Sequence, residues 1–164
     1  ERYKVYISIL IPVIAASFIM SAINFLVSTA LASIFIGSVG SFDGDLLLKT
    51  LRFVGIEMLL YAAFVSLFVM IALIVRHNGG VIAIDIIIVM FGRLIYQLLE
   101  LIVCNVFKIN FDFSFIDYSL QNNIFAAINT IKGEHILRPI LVGLIFLAVT
   151  LALGLIHFER TDVK

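Results

Sequence analysis

Hydrophobic residues dominate the chain in four long runs that are separated by shorter polar stretches. The runs cover approximately residues 5–36, 52–75, 81–107 and 139–158. A helix needs about 20 apolar residues to cross a bilayer core of roughly 30 Å, so each run is long enough for one crossing. The pattern predicts an all-α polytopic membrane protein, with residues 1–164 forming a single transmembrane domain of four spans. Four crossings place both termini on the same side.

The polar stretches predict where the chain reverses. Residues 37–49 are rich in Gly, Ser and Asp, and residues 76–80 read Arg-His-Asn-Gly-Gly, which is typical of a tight turn. Pro12 predicts a kink in the first helix, and Pro139 suits the first turn of the last one. Lys and Arg divide equally between the two sides, but they are denser in the short segments on the side of the termini. That density favours termini in the cytosol.

A segment between the third and fourth runs, residues 111–131, has too few apolar residues to cross. We expect it to form a short amphipathic helix that lies in the membrane interface or dips partly into it, and that ends near Lys132 and Gly133. A loop helix that packs on the surface without a functional role is the alternative. The apolar face predicted from helical spacing consists of Leu120, Ile124, Ala127, Ile128 and Ile131, and the polar face of Gln121, Asn122, Asn123 and Asn129.

Composition narrows the classes of protein further. The chain is 63% hydrophobic and 13% charged, whereas a typical soluble domain is about half apolar and a quarter charged. An ordinary soluble domain, a disordered chain and a disulfide scaffold are therefore excluded. The formal net charge is zero, so no basic excess points to nucleic acid. The single cysteine, Cys104, lies in apolar sequence and is typical of an inert packed thiol.

The third span carries polar residues that share one side of a helix. Projected at about 100° per residue, they fall within an arc of about 120°. A charge near the bilayer centre is costly, so we expect Arg93 to face the protein interior and to pair with Glu100 or with Glu57 of the second span. The stripe either lines a translocation path or charge relay, or it holds helices or a further subunit together by ion pairs. The residues of this stripe are Asp85, Arg93, Tyr96, Gln97 and Glu100.

Signatures of catalysis are absent from the sequence. His77, His135 and His157 lie at different membrane boundaries, which predicts no metal site. The chain contains no HExxH, GxSxG or CxxC motif and no GxxxxGK[ST] phosphate loop. We therefore expect no catalytic residue, no cofactor and no nucleotide site of its own.

Both ends of the chain resemble a known family. Residues 2–8 read Arg-Tyr-Lys-Val-Tyr-Ile-Ser, and residues 154–164 read Gly-Leu-Ile-His-Phe-Glu-Arg-Thr-Asp-Val-Lys. The first stretch resembles the "SR-x-x-I-Y-L-S" that leads into the third membrane helix of ABC-2-type permeases of Gram-positive bacteria. The second is similar to their closing "G-x-x-x-F-x-K-R-D-I-K". The peptide-export and bacteriocin-immunity permeases are the subgroup that the chain most resembles.

This resemblance implies a permease subunit of an exporter in the bacterial plasma membrane. The four spans would be the last four of six, both termini would be cytosolic, and partly re-entrant helices would occupy approximately residues 111–131. The partners implied are a separate ABC ATPase subunit, which binds the ATP, and a second permease subunit. The substrate would be amphipathic or apolar, for example a peptide.

Two other classes of function remain open from the residues alone. One is an ion-coupled secondary transporter or channel built around Asp85, Arg93 and Glu100, and the other is a membrane interaction or immunity protein without transport activity. The chain starts at Glu1 rather than at a methionine and runs at once into apolar sequence. We therefore expect it to begin inside a longer polypeptide.

Overall fold

Helices are the regular elements of the part of the chain that the structure describes. A computed structural model describes residues 2–36, 44–75, 77–106, 108, 114–127 and 136–160. Those ranges contain α1 (Arg2–Ile36), α2 (Gly44–Ile74), α3 (Asn78–Val106), α4 (Leu120–Ala126) and α5 (Leu137–Arg160), with a 3-10 turn at Phe115–Tyr118.

Four of these helices are long and apolar enough to span a membrane. The qualifying stretches are Lys4–Leu31 in α1, Leu48–Ile74 in α2, Asn78–Asn105 in α3 and Leu137–His157 in α5. The prediction of an all-α polytopic fold with four spanning helices is confirmed. Helices satisfy every backbone hydrogen bond within the segment, which is why long apolar runs in lipid adopt them.

Helix α2 starts at Gly44, eight residues before the predicted start of the second span at residue 52. The polar stretch therefore does not break the helix at residues 44–49. Asp45 lies in the first turn, where a carboxylate complements the helix dipole, and its Oδ2 atom accepts a bond of 2.7 Å from Nζ of Lys49. Polar side chains that form such a pair extend a helix beyond the apolar run.

Helices α2 and α5 form the centre of the bundle and run in the same direction. Leu60 of α2 is completely buried beside Gly143 of α5, where an added Cβ would lie 3.4 Å from Cδ2 of Leu60. Further along both helices, the buried hydroxyls of Ser66 and Thr150 are 2.6 Å apart. Each hydroxyl has one hydrogen, so one donates to the other and the second donates to a carbonyl of its own helix. This bond fixes the register of the two helices.

Helix α1 packs across α2 and α5 near the chain ends. Tyr6 is fully buried, and its ring lies against Gly154 of α5. Leu10 and Val69 belong to the same buried cluster. The start of α1 and the end of α5 therefore meet at one end of the bundle, called here the terminal end. The opposite end, where α2 starts and α3 finishes, is called the loop end.

Helix α3 lies at the edge of the bundle and contacts α2, the 3-10 turn and α4. Large apolar side chains cover its outer surface, for example Met90, which is 70% exposed, and Leu98, which is 58% exposed. Such a surface suits lipid, whose tails are as apolar as these side chains. The inner side of α3 is the side that meets the short helix α4.

The close approach of Tyr6 to Gly154 predicts the effect of a methyl group there. A Cβ at position 154 would lie 2.8 Å from Cζ of the tyrosine, so Gly154→Ala forces a packed ring to move. We expect a loss of about 1–3 kcal/mol in the free energy of unfolding, measured by denaturation in detergent micelles. Gly55→Ala is the matched control, because nothing lies within 4 Å of its Cβ position. An equal effect of the two substitutions would contradict the packing of α1 on α5.

Candidate functional site

Residues 114–127, called here the re-entrant segment, begin close to the loop end of α3. Oε2 of Glu100 accepts hydrogen bonds from Oγ of Ser114, at 2.7 Å, and from the backbone N–H of Phe115, at 3.1 Å. Bonds to a charged acceptor are stronger than neutral ones. The Glu100 carboxylate therefore ties the start of the segment to α3.

Gln121 ties the segment to α3 again, much farther from the loop end. Its Nε2 atom donates to the backbone oxygens of Val89, at 2.6 Å, and Ile88, at 3.1 Å. The two hydrogens of the amide allow both bonds. Gly92 makes the approach possible, because a Cβ at that position would collide with the Gln121 amide group.

These two anchors give the depth of the segment relative to α3. Glu100 and Val89 are eleven positions apart, which is about 16 Å along a helix at 1.5 Å per residue. The spanning stretch of α3 runs over 28 residues from Asn78, so its middle falls beside Gly92. Helix α4 therefore lies level with the middle of α3. Of the two predicted placements, in the interface or dipping below it, a position level with the middle of α3 favours dipping.

Backbone groups within the segment are satisfied by its own side chains. Asn123 is 2% exposed, and its Nδ2 atom donates to the carbonyls of Asp117 and Ser119, each at 2.8 Å. Oγ of Ser119 accepts from the backbone N–H of Asn122, at 3.1 Å, as an N-cap of α4. Irregular backbone is tolerated at membrane depth only when protein or a wet cavity surrounds it. Asn123 and Ser119 supply part of that protection.

Helix α5 holds the segment from the other side. Nη1 of Arg138 lies 3.2 Å from Oδ2 of Asp117, and its guanidinium stands 5.9 Å from the ring centre of Tyr118. Both side chains of the ion pair are about 40% exposed. Exposed pairs contribute about 0–1 kcal/mol, so this contact orients the 3-10 turn more than it stabilises the fold.

The amphipathic pattern predicted for this region is correct on one face and wrong on the other. Leu120 and Ala127 are buried in the main core cluster, as predicted. Asn123, predicted on the polar outer face, is instead buried, while Phe125 is 79% exposed. The reason is that Asn123 satisfies two carbonyls of its own segment. Residues 111–113 and 128–133 of the predicted segment lie outside the described residues.

A polar cavity of about 270 Å³ lies between α3 and the re-entrant segment. At about 30 Å³ per water in the liquid, it has room for about nine waters. Its lining supplies amide, hydroxyl and guanidinium groups that can bind water from several sides. The residues that line it are Val89, Met90, Arg93, Ser119, Gln121, Asn122 and Phe125.

Arg93 is placed differently from the prediction. It is exposed and borders this cavity, and within the described parts of the chain no carboxylate lies close enough to pair with it. Glu100 is seven positions away, about 10 Å along the helix, and its carboxylate is already bonded to the start of the segment. A guanidinium in lipid costs at least about 2.5–3.5 kcal/mol, and a cavity that can admit water reduces that cost.

The other residues of the predicted stripe separate into two groups. Tyr96 is half-buried and lines a small space together with Gly92 and Gln121, so it belongs with Arg93 and Glu100 beside the segment. Gln97 is exposed and borders none of these cavities. Oδ1 of Asp85 is buried and has no hydrogen-bond partner among the residues that the structure describes. The structure thus brings three of the five stripe residues to one site.

Glu57, the second predicted partner of Arg93, faces another part of the molecule. It lines a cavity between α1 and α2, and its carboxylate interacts with the hydroxyl of Tyr61. The spacing of polar residues along α3 predicts which of them share a face. It does not show whether Glu57 of α2 points toward that face. The predicted pair of Arg93 with Glu57 is therefore corrected to two separate polar sites.

Sequence reasoning missed Gly92, the residue that admits the Gln121 side chain to α3. A signal was present, because glycine in the middle of a helix costs about 1 kcal/mol relative to alanine and so indicates a close approach. The sequence of α3 alone does not show that the approaching group is the side chain of Gln121.

Comparison with known proteins identifies no relative: no protein-family model, no curated protein and no solved structure matches the chain. Within the described residues, no three His, Cys, Asp or Glu side chains are grouped so that they could hold a metal ion. The site must therefore be interpreted from its own geometry.

The buried amide of Asn123 generates a prediction about the re-entrant segment. Asn123→Asp keeps the shape but replaces the donor with an oxygen that faces two carbonyls. We expect a loss of about 2 kcal/mol or more in stability and faster hydrogen exchange of the α4 amides. Asn122→Asp is the control, since the described contacts of Asn122 involve only its backbone N–H. Unchanged exchange in Asn123→Asp would show that the segment does not depend on this cap.

Proposed function

We propose that the protein is the membrane-spanning subunit of an ABC-type exporter of the bacterial plasma membrane. It moves an amphipathic or apolar substrate, such as a peptide, outward with ATP that a separate ATPase subunit hydrolyses. The observation that carries this proposal is the re-entrant segment, which reaches the middle of α3 beside a polar cavity. A transporter needs polar surface at the centre of the membrane, and an inserted segment supplies it without a further crossing.

The resemblance of both chain ends to ABC-2-type permeases supports the same function. That family has partly re-entrant helices in the loop before the last span, which is where residues 114–127 lie. The arrangement of α1 and α5, with both chain ends at the terminal end, is compatible with cytosolic termini. Under this proposal the ATPase docks at the terminal end, and a second permease subunit completes the translocation path.

Differences in how the two nucleotide states of the ATPase interact with the permease drive the cycle. A ligand shifts a conformational equilibrium only by its differential affinity for the two states. ATP binding and hydrolysis on the partner would therefore alternate the exposure of the central cavity. In the permease itself, Arg93 and the amides of Gln121 and Asn122 present a hydrated surface to the substrate.

Transport by inside-out membrane vesicles tests this function. The vesicles contain the polypeptide that includes this chain together with the separate ABC ATPase subunit that this proposal requires. We expect ATP-dependent uptake of a fluorescent amphipathic peptide, reduced at least fivefold by Arg93→Gln because the cavity loses its charge. Gln97→Ala is the matched control, one turn away on α3 and exposed outside the cavity, and should leave uptake within twofold.

Other results of this experiment would contradict the proposal. Uptake that depends on an ion gradient and does not require ATP indicates a secondary transporter. Absence of uptake at normal protein abundance indicates an interaction or immunity protein. Normal uptake by Arg93→Gln would show that the cavity is not on the translocation path.

A further inference from the structure

A second polar cavity, of about 160 Å³, lies between α1 and α2 and takes no part in the site described above. The contributing residues of the two antiparallel helices lie in the half of the bundle nearer the loop end. Its lining combines one carboxylate with an amide, hydroxyls and three aromatic rings. The lining residues are Ser21, Asn24, Phe25, Ser28, Phe53, Glu57 and Tyr61.

The charge in this cavity has no counter-ion in the described structure. Glu57 is half-buried within the spanning stretch of α2, and no Lys, Arg or His lines the cavity. The Tyr61 hydroxyl interacts with the carboxylate, but it supplies a hydrogen bond rather than a positive charge. Ionisable groups inside the membrane pair with an opposite charge or face a pathway. The cavity is therefore suited to a cation from outside the chain.

The neighbouring groups favour an organic cation over a metal ion. Hard divalent ions take six to eight oxygen ligands, and among the lining residues only Glu57 offers an anionic one. Phe25, Phe53 and Tyr61 line the cavity with aromatic rings, and ring faces attract ammonium groups within about 6 Å. A carboxylate among aromatic rings is the arrangement that recognises alkylammonium groups.

The size of the cavity limits what it can enclose. At about 30 Å³ for each water-sized group, it holds about five such groups, which matches one trimethylammonium headgroup and excludes a whole lipid. The remainder of the ligand must lie against apolar surface. Nearby positions of both helices supply it, since Leu26 is 66% exposed and Leu51 is 63% exposed.

We propose that the cavity between α1 and α2 binds the ammonium headgroup of an amphipathic amine, with the Glu57 carboxylate as its counter-ion. The alkyl chain of the ligand lies along the lipid-facing surfaces of the two helices. The site is independent of the transport proposal, because binding requires neither the ATPase nor the cavity beside α3.

Titration calorimetry on the purified polypeptide that includes this chain, in maltoside micelles, tests this site with octyltrimethylammonium as the probe. We expect binding of one probe per chain, weakened at least tenfold by Glu57→Gln. Asp45→Asn should leave the affinity within twofold, since it removes a carboxylate of the same helix that lies outside the cavity and is paired with Lys49. Neutral 1-octanol, which has the same alkyl chain, should bind at least tenfold more weakly.

Three outcomes would overturn the proposal. If wild type and Glu57→Gln bind the probe with equal affinity, the Glu57 carboxylate is not its counter-ion. If 1-octanol binds as tightly as the probe, the cavity is an apolar groove that does not select for charge. If sodium or potassium displaces the probe at constant ionic strength, the cavity is a site for inorganic cations.

Ser28→Val provides a second variant if Glu57→Gln does not fold. Valine adds bulk to the cavity from an exposed position on α1 and should also weaken binding at least tenfold.

Discussion

Backbone that lies level with the middle of membrane-spanning helices needs protein or a wet cavity to satisfy its hydrogen bonds. Three kinds of partner supply such bonds to residues 114–127. Glu100 receives the first residues, Gln121 bonds to carbonyls in the middle of α3, and Asn123 caps carbonyls of its own segment. The bonds of Gln121 set the depth of the segment relative to α3 and require a small residue at position 92. They also place the segment beside the cavity that Arg93 borders. Lipid tails could replace none of these bonds, because hydrocarbon offers neither donors nor acceptors.

The same constraint determines where charge is tolerated in the membrane. Arg93 borders a cavity between α3 and the re-entrant segment, and the Glu100 carboxylate accepts hydrogen bonds from that segment. Glu57 lies in a separate cavity between α1 and α2. Two sites lined in part by polar side chains thus occupy a bundle whose described spanning helices expose many large apolar side chains. A function in transport and a site for an organic cation are the proposals that these two sites support.

How far the sequence predicts this structure depends on the range of each interaction. The four spans follow from uninterrupted apolar runs, because the requirement for internal hydrogen bonds leaves helices as the solution. The early start of α2 was missed because Asp45 and Lys49 are polar, yet they stabilise a helix by pairing one turn apart. The neighbours of Arg93 and Glu57 depend on contacts between helices, which periodicity within one helix does not contain. For the same reason Gln121 and Gly92 could not be connected before the fold was known.

Cross-linking between α3 and α4 tests the depth of the re-entrant segment most directly. In a Cys104→Ser background, Asn122→Cys is combined with Val89→Cys or with Val103→Cys, and a thiol cross-linker with a reach of about 8 Å is added. Val89 and Asn122 line the same cavity, whereas Val103 is fourteen positions farther along α3, about 21 Å nearer the loop end. A segment inserted to the middle of α3 predicts rapid cross-linking of the Val89 pair and none of the Val103 pair. The reverse result would place the segment at the membrane surface and contradict the account.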